Sequence, residues 1–278
     1  MNELYNHTCR ECSRLITQRY STSFSAGIRA FDPSIRAPVY SIYGFVRFAD
    51  EIVDTFHQYP QAALFYKFRE DTRHALEERI SLNPVLNAFQ EVVHTYGIDR
   101  DLINAFLDSM EMDLTRQTYN SDTYDQYIYG SAEVVGLMCL KVFCLGDDDL
   151  YAKLKEPARR LGAAFQKINF LRDLRSDYEE RGRVYFPGVD FACFDEVSKK
   201  AIEQDILSDF KAGYAGIIQL PDAARFGVYL AYVYYFSLFK KIRQTPCHKV
   251  QEMRIRVSTF EKMMLLFQSS VRMKLNML

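Results

Sequence analysis

The segment VRFADEIVDTF, residues 46–56, places Asp50 and Asp54 four residues apart among apolar neighbours. Around it, over residues 33–56, apolar side chains recur at steps of three and four, as the buried face of a helix requires. These side chains are Ile42, Phe45, Ala49 and Val53. Asp32 is a suitable N-cap, and a proline such as the one that follows it is favoured in a first turn. The pattern predicts a helix over residues 33–56 with one face in the core.

The two aspartates share a polar stripe of this helix with Tyr43 and Arg47. They lie about 6 Å apart along the axis, given a rise of about 1.5 Å per residue. Two carboxylates at that separation repel by roughly 2–3 kcal/mol at an effective dielectric constant of about 20. On a solvated surface this repulsion is mostly screened, whereas beside an apolar face it favours a bound cation. This stretch alone leaves both interpretations open.

A second acid pair occurs in QKINFLRDLRSDYEERGRVYFP, residues 166–187. Gln166, Asn169, Asp173 and Asp177 follow one another at steps of three, four and four, so they form one polar stripe of a second helix. The arginines near this stripe are Arg172, Arg181 and Arg183. Two such pairs on separate helices indicate a shared function more strongly than either pair alone.

If the two helices face each other, four carboxylates and the Asn169 amide supply hard oxygen ligands. Mg²⁺ prefers such ligands and commonly shares its site with substrate phosphates, and Mn²⁺ is an alternative occupant. The nearby arginines are suited to bidentate phosphate binding. Metal and arginines together would stabilise charge on a departing diphosphate. The irregular stretch over residues 181–195 begins with a loop, residues 181–187, that can close over the site and exclude water.

Helical patterns cover almost the whole chain, and the sustained alternation typical of strands is absent from the sequence. The predicted helix starts are Pro84 after Asn83, Asp122 or Thr123, Pro157, and Pro221. The helix from Pro157 is expected to run to about Asp177. Neither a linker nor a repeat interrupts the pattern. We therefore predict a single all-α domain, residues 1–278, of roughly ten helices.

The composition is that of an ordinary globular protein, with 48% hydrophobic and 26% charged residues and a net charge of −1. This charge argues against a nucleic-acid partner. The longest uncharged run, residues 226–239, is shorter than the ~20 residues that span a bilayer. Cys9 and Cys12 lack the second pair that a zinc site needs, so reduced thiols are expected. Without a signal-peptide pattern at the N-terminus, a cytoplasmic location is predicted, with peripheral membrane contact left open.

The chain resembles the squalene/phytoene synthase family, of the bacterial phytoene synthase type, from about residue 21 to the C-terminus. The strongest matches are YGFVRFADEIVD, residues 43–54, and NFLRDLRSDYEERGRVYFP, residues 169–187, each with a D-x3-D motif. The supporting matches are STSFS (21–25), MDL (112–114), YDQYIYGSAEVVGLM (124–138) and YYFSLFKKI (234–242). Either acid motif alone is a weak signal, whereas the two together are specific.

The resemblance implies an all-α isoprenoid synthase (type I) fold with a central cavity between helices. It implies that Mg²⁺, and through it diphosphate, is bound by Asp50, Asp54, Asn169, Asp173 and Asp177. Direct contacts with diphosphate are implied for Ser21, Ser23, Tyr43, Arg47, Arg172 and Arg183. The side chains implied to line the cavity near the reacting carbons are Gln166, Tyr127 and Tyr235.

The implied reaction joins two prenyl diphosphates head to head through a cyclopropyl diphosphate, as a prenyltransferase of carotenoid biosynthesis does. Two geranylgeranyl diphosphates would give phytoene, and two farnesyl diphosphates would give squalene or dehydrosqualene. NADPH is expected only if the product is squalene. Cavity depth decides between C15 and C20 substrates, and sequence spacing does not give it. A carotenoid desaturase is the expected neighbour in the pathway, and membrane contact for product release is left open.

Two positions depart from the family pattern. Gly130 stands where Tyr or Arg is common, and Glu133 replaces a small residue. The Glu133 carboxylate can touch diphosphate-bound metal or act on the cavity wall, and the sequence leaves both roles open. Asp113 lies at helical spacing from Phe106 and Met110, and it is interpreted as a satisfied helix acid rather than a group that supports the site.

Two other classes of function are alternatives to a prenyl synthase. A di-iron protein uses two Glu-x-x-His motifs and two further Glu ligands. Here Glu91 and His94 form one such motif, Asp71 and His74 form a loose second, and the further Glu ligands are not evident. A synthase-like assembly protein without catalysis would be expected to have lost its acid pairs, and both pairs are intact.

Overall fold

Helices account for nearly all regular structure in the computed structural model, which describes residues 2–115, 118–189, 191 and 194–275. Within these residues the only strand-like pairing is a bridge between Thr118 and Val184. The α-helices are α1 Glu3–Tyr20, α2 Thr22–Arg29, α3 Pro33–Thr55, α4 Gln61–Glu78, α5 Pro84–Tyr96, α6 Arg100–Thr115, α7 Ser121–Ile128, α8 Val134–Cys144, α9 Asp148–Arg181, α10 Glu196–Ile217, α11 Asp222–Gln244, α12 Cys247–Glu252 and α13 Thr259–Lys274. The all-α prediction is confirmed.

Three helices, α3, α5 and α11, begin at the predicted residue or directly after it. The Asp32 carboxylate accepts a hydrogen bond from the Ser34 amide at 2.9 Å, and α3 begins at Pro33. The Asn83 side chain caps α5 in the same way, and Pro221 precedes α11. A capping side chain satisfies a backbone amide that has no partner within the helix, which fixes the first turn.

Of the other two predicted helix starts, one is displaced by one residue and one is wrong. The helix predicted from Asp122 or Thr123 begins at Ser121, because Asn120 is the cap and forms a capping box with Thr123. The helix predicted from Pro157 begins much earlier, at Asp148, where Asp147 caps it. Pro157 therefore lies inside α9 and packs against α10: a Cβ atom at Gly216 would lie 2.4 Å from the Pro157 Cβ atom, so position 216 requires a glycine.

The apolar face of α3 lies in the core around Phe45. This ring is fully buried, stacks on Phe89 of α5 at 3.9 Å between centroids, and lies 5.4 Å from the ring of Phe106 on α6. Ala49 and Val53 lie in the same cluster. The predicted apolar stripe is therefore buried, and α3 is held with its polar stripe directed away from this cluster.

A π-helical turn, Tyr129–Glu133, joins α7 to α8 and passes close to two neighbouring helices. A Cβ atom at Gly130 would lie 2.4 Å from the carbonyl oxygen of Ala105 on α6. A Cβ atom at Gly162 on α9 would lie 2.8 Å from the carbonyl oxygen of Ala132. The departure from the family pattern at Gly130 is thus explained by backbone packing, since no side chain fits between this turn and α6.

Gly130→Ala is expected to destabilise the protein by about 1–3 kcal/mol, because the added methyl group must push α6 away from the π-helical turn. The matched control is Gly27→Ala in α2, where a Cβ atom meets no other atom within 4 Å. Alanine is a better helix former than glycine, so the control should be neutral or stabilising. Urea unfolding of both variants measures the difference, and equal midpoints would contradict this packing.

The segment Ser121–Cys144 is long and apolar enough to be a candidate membrane span, with a mean hydropathy of 1.4. Of its most apolar window, 56% is buried inside the protein. Val134, Leu137 and Met138 are completely buried there. The segment therefore has the burial of a core helix, which passes the same test of length and composition.

Candidate active site

Arg181, the last residue of α9, connects the two acid pairs. Its Nη1 atom lies 2.9 Å from Asp177 Oδ1, and its Nη2 atom lies 3.5 Å from Asp54 Oδ2. Both carboxylates are largely buried. Because one guanidinium group reaches both aspartates, the polar stripes of α3 and α9 face each other.

Arg183 lies deeper than Arg181 and binds two carboxylates. Its Nη1 atom is 2.9 Å from Asp54 Oδ1 and 3.4 Å from Asp113 Oδ1, and its Nη2 atom donates to the Asp113 carbonyl oxygen at 2.9 Å. The side chain is only 7% exposed. Arg183, for which the resemblance implies a diphosphate contact, therefore holds α3, α6 and the segment after α9 together.

The interpretation of Asp113 as an ordinary helix acid is wrong. Its carboxylate is buried and accepts hydrogen bonds from Tyr127 at 2.7 Å and Tyr119 at 3.4 Å, in addition to its contact with Arg183. The helical spacing from Phe106 places Asp113 on a buried face, and this was the sequence signal that could have identified it as part of the site. Tyr127, for which a position along the cavity is implied, uses its hydroxyl to orient this carboxylate.

Arg47 neutralises the first aspartate of α3. Its guanidinium pairs with Asp50 and with Glu51, and it lies 4.5 Å above the centre of the Tyr20 ring. Among the described residues, the buried Arg47 Nε atom has no hydrogen-bond acceptor. A buried donor without a partner is costly, so this atom is available to an anionic ligand that enters beside Asp50.

Asp173, the first aspartate of the acid pair on α9, is paired with two arginines. Arg172 donates to it from Nε at 2.9 Å, and Arg254 Nε lies 2.7 Å from Asp173 Oδ1. Arg254 was missed in the sequence, because it follows α12 far along the chain and belongs to neither acid motif. These two guanidinium groups add positive charge at the end of the site where diphosphate is implied to bind.

The polar residues of the first helices lie beside α3. Tyr43 stacks on the ring of Phe24, with 4.5 Å between centroids. The Ser21 hydroxyl caps α2 by accepting from the Phe24 amide at 3.1 Å. The Ser23 hydroxyl accepts from Lys262 Nζ at 2.8 Å. The Ser21 and Ser23 hydroxyls thus have partners within the protein, and Lys262 is a further cation that sequence reasoning missed.

The remaining predicted residues form a chain of weak hydrogen bonds on α9 and α11. Tyr235 donates to Asn169 Oδ1 at 3.4 Å, and Asn169 donates to Gln166 Oε1 at 3.4 Å. The Tyr235 ring stacks on Phe165, 4.0 Å between centroids. The structure therefore brings the amides of α9 and the aromatic face of α11 together beside Asp173.

Three carboxyl groups of the site have raised pKa values. Burial, with repulsion from Asp54, raises the pKa of Asp50 to about 7, and the Arg47 charge offsets only part of this. Burial also raises the pKa of Asp177 to about 7, against the lowering effect of Arg181. Burial raises the pKa of Asp113 to about 6. The arginines thus do not fully compensate the buried negative charge.

The donor chemistry fits a divalent cation. Among the described residues, no three His, Cys, Asp or Glu side chains converge as a complete metal site. Mg²⁺, however, is usually bound by one or two carboxylates together with substrate phosphates and water. The residues that would hold it are Asp50, Asp54, Asn169, Asp173 and Asp177. Burial raises the pKa values of Asp50 and Asp177, and a cation bound beside them would favour their charged forms.

Two polar pockets open beside the acid pairs. One, of about 300 Å³, is lined by Asp113, Arg181 and Arg183 among others. The other, of about 500 Å³, is lined by Asp173 and Glu179 and by several arginines. These arginines are Arg172, Arg175, Arg181, Arg254 and Arg256. The larger pocket has the charge that a diphosphate needs, whereas the apolar central cavity implied by the resemblance stays a prediction.

The family model for squalene/phytoene synthases matches residues 17–261 of the chain. This match includes both acid pairs and all the arginines described above. The chain belongs to the squalene/phytoene synthase family. It is therefore a prenyltransferase-type enzyme that condenses prenyl diphosphates head to head, and the family uses a divalent metal to bind them.

Individual relatives agree on the family but differ in their products. A phytoene synthase from Arthrospira platensis is 28% identical over 94% of this chain and 92% of its own length. A presqualene diphosphate synthase from Rhodopseudomonas palustris is 32% identical over 60% of this chain and 58% of its own. The crystal structure of a dehydrosqualene synthase has a TM-score of 0.83 at 19% identity, covering 99% of both chains. This last likeness supports the isoprenoid synthase fold alone.

Glu133, the second departure from the family pattern, forms an ion pair in this structure. Its Oε2 atom lies 2.7 Å from Arg159 Nε, on the turn of α9 that packs against the π-helical segment. Burial raises the pKa of this carboxyl group, and Arg159 opposes the rise. Of the two roles considered for Glu133, this pairing favours one within the wall of the site.

The groups considered for a di-iron site have structural partners. Glu91 pairs with Arg10 of α1 at 2.9 Å. His94 donates from Nε2 to the Leu76 carbonyl oxygen at 2.9 Å. These contacts join α5 to α1 and to α4, away from the acid pairs of α3 and α9.

Asp177→Asn is expected to stabilise the metal-free protein at pH 8 relative to the wild type, and less so at pH 5. The pKa of the Asp177 carboxyl group is about 7 in the folded protein, above its value in the unfolded chain. Between these two pKa values the folded wild type binds a proton that the unfolded chain has lost. Its stability then falls as the pH rises toward 7, and an asparagine removes that dependence. The gain should be a few degrees in Tm, since 1 kcal/mol corresponds to about 2–4 °C in a chain of this size.

Thermal unfolding in EDTA at both pH values measures this effect. The matched control is Asp71→Asn on α4, a half-buried helix aspartate outside the acid pairs, measured under the same conditions. If Asp177→Asn were less stable than the wild type at pH 8, the negative charge of Asp177 would not be uncompensated in the folded protein.

Proposed function

We propose that this chain is a Mg²⁺-dependent phytoene synthase that joins two geranylgeranyl diphosphates. The observation that carries the proposal is the bridge from Asp54 to Asp177 through Arg181, which sets two acid pairs opposite each other beside an arginine-lined pocket. The similarity to a phytoene synthase along nearly the full length of both chains supports the C20 substrate.

Arginines and hydroxyl groups of the chain bind and orient the diphosphates. Arg172 and Arg254 are placed to share their charge between Asp173 and a phosphate oxygen, and Arg47 offers its unpartnered Nε atom. Ser21, Ser23 and Tyr43 are the neutral donors that we assign to the same group. When bound at the aspartates, Mg²⁺ would supply further positive charge for the departing diphosphate.

The proposed reaction has two steps in which a C–O bond to diphosphate ionises. The C1–O bond of the first geranylgeranyl diphosphate breaks, and both electrons leave with the diphosphate. The double bond of the second molecule attacks the allylic cation, and loss of a proton closes a cyclopropane ring. The second C–O bond then breaks, and rearrangement and loss of another proton give phytoene. Two diphosphates and two protons are released per hydrocarbon.

Aromatic and amide groups protect the cationic intermediates. The faces of Tyr235 and Phe165 provide negative quadrupole charge, which attracts a carbocation as it does other cations. The Tyr235 hydroxyl donates to Asn169, and the Asn169 amide donates to Gln166, so that both amides lie near this face. Tyr185 and Phe186, after Arg183, are buried and would keep water from the intermediates.

The second candidate is a squalene or dehydrosqualene synthase that uses two farnesyl diphosphates. A 4,4'-diapophytoene synthase from Staphylococcus haemolyticus, 26% identical over 70% of this chain, favours this candidate. NADPH would be needed only for squalene. A synthase-like assembly protein without catalysis is a remote third, and the paired and buried aspartates argue against it. For the phytoene synthase, the next enzyme would be a carotenoid desaturase.

The test offers purified protein with Mg²⁺ either farnesyl or geranylgeranyl diphosphate, with and without NADPH, and identifies the hydrocarbon. A C40 product from the C20 substrate without NADPH is expected. A C30 product from the C15 substrate alone would assign the chain to the second candidate. The absence of any hydrocarbon, with a folded protein by circular dichroism, would favour the assembly protein.

A further inference from the structure

The helix α13 presents an apolar stripe to solvent. Phe260, Met263, Met264, Phe267 and Val271 follow the spacing of one helix face, and their exposed fractions are 68%, 59%, 42%, 67% and 39%. Single exposed apolar residues are ordinary, but a contiguous patch of large side chains marks an interaction surface. We call these five residues the α13 stripe.

The opposite face of α13 is held to the protein by polar contacts. Ser269 is 1% exposed. Lys262 Nζ donates to the Ser23 hydroxyl at 2.8 Å, and Arg272 donates to the Tyr229 hydroxyl at 3.3 Å. Glu261 accepts from Lys241 of α11 and completes the capping box with Ser258. Leu265 on this face packs against the core. The helix is thus fixed through this face, and the apolar α13 stripe is left outward, where an ordinary surface helix has polar side chains.

The chain segment that carries the stripe is basic. Residues 240–275 contain nine Lys or Arg residues and two Glu residues, whereas the whole chain has 35 basic and 36 acidic residues. Lys241, Arg254 and Arg272 of this segment bind groups of the protein itself. Lys274 lies on the same helix face as the stripe, and Lys240 and Lys249 are exposed nearby along the chain. An apolar face accompanied by lysine and arginine suits an interface that is apolar below and negatively charged at its surface.

We propose that the α13 stripe docks into the surface of an anionic lipid bilayer. The Phe and Met side chains enter the boundary between headgroups and acyl chains, and the exposed Lys240, Lys249 and Lys274 contact lipid phosphates. A convex, single-helix stripe inserts into a fluid surface without a complementary groove. The Lys262–Ser23 hydrogen bond then ties the docked helix to the start of α2, beside Tyr43 of the site. Docking does not depend on which hydrocarbon the enzyme makes.

The chain contains no tryptophan, so Phe267→Trp introduces a single fluorescent reporter into the stripe. With vesicles that contain phosphatidylglycerol, its emission is expected to shift to shorter wavelength. Vesicles of pure phosphatidylcholine should give little shift, and salt at about 0.5 M should weaken the response by screening. The matched reporter is Leu82→Trp, at a 96% exposed position before α5, and it should not shift.

Co-sedimentation of the full chain with the same vesicles provides the second measurement. Phe260→Ser/Phe267→Ser should reduce the bound fraction at least about tenfold, whereas the control Tyr59→Ser/Leu82→Ser should bind as the wild type does. Equal binding by the stripe variant, equal shifts at residues 82 and 267, or equal binding to neutral vesicles would overturn the proposal. So would a wild-type dimer that the stripe variant converts to a monomer, because a second copy would then cover the stripe. Failure of these tests leaves the hydrocarbon assay unaffected.

Discussion

Asp50→Asn is expected to lower the rate of hydrocarbon formation at least about 100-fold, the scale on which loss of a single charge-stabilising group acts in an active site. The carboxylate of Asp50 is one of the proposed metal and diphosphate ligands, and an amide cannot supply its negative charge. The fold should persist, because the raised pKa of about 7 means that the buried site already accepts a neutral side chain there. Arg47 also keeps its second partner, Glu51.

The measurement is kcat with saturating prenyl diphosphate and Mg²⁺, together with the thermal unfolding midpoint. Asp71→Asn is the matched control, since Asp71 is a half-buried helix aspartate outside the acid pairs, and it should retain full activity. Asp173→Asn should behave like Asp50→Asn. Near-normal turnover in either site variant would refute the assigned role of the acid pairs.

Among the variants considered, Arg183→Gln is expected to lower the free energy of unfolding most, by about 3–5 kcal/mol. The guanidinium group is almost completely buried between Asp54 and Asp113. Removing one partner of a buried ion pair leaves uncompensated charge, which is far more costly than the net value of the pair. Urea unfolding measures the effect, with Arg175→Gln as control, since Arg175 pairs with Glu179 at the surface and exposed pairs contribute little.

The double variant Asp113→Asn/Arg183→Gln separates stability from activity. Neutralising Asp113 removes part of the uncompensated charge, so the double variant should be more stable than Arg183→Gln alone, as coupled residues allow. Its turnover should be lower than that of the wild type, because Asp54 keeps only its longer contact with Arg181 and loses the 2.9 Å ion pair with Arg183. If the two substitutions were additive in unfolding free energy, the network around Arg183 would not be the coupled unit that its distances indicate.

Much of the fold could be predicted from local signals. The N-cap Asp32 and the spacing of Phe45 and its neighbours give the position of α3 and its buried face. Local signals failed at Pro157, because proline is usually found in a first turn, whereas α9 is capped by Asp147, ten residues earlier. The π-helical turn was not predicted, because the need for a glycine at position 130 comes from the Ala105 carbonyl oxygen on α6. The residues next to Gly130 in the sequence give no sign of it.

The acid pairs could be predicted because each lies within one helical turn. The network that supports them could not, because it joins distant parts of the chain. Arg183 contacts Asp54 across 129 residues, and Arg254 contacts Asp173 across 81. Only the packing of α3, α6 and α9 makes Asp113 a buried partner of an arginine. Helical spacing indicates which side chains share a face, but not which opposing face supplies their counter-charges.

The central claim is that the two acid pairs bind diphosphate together through a divalent metal, and release of inorganic diphosphate tests it most directly. Purified protein is freed of metal with EDTA, given geranylgeranyl diphosphate, and titrated with Mg²⁺. We predict no release in EDTA, and recovery with Mg²⁺ to two diphosphates per hydrocarbon in the wild type but not in Asp50→Asn. Undiminished diphosphate release after thorough chelation would contradict the claim.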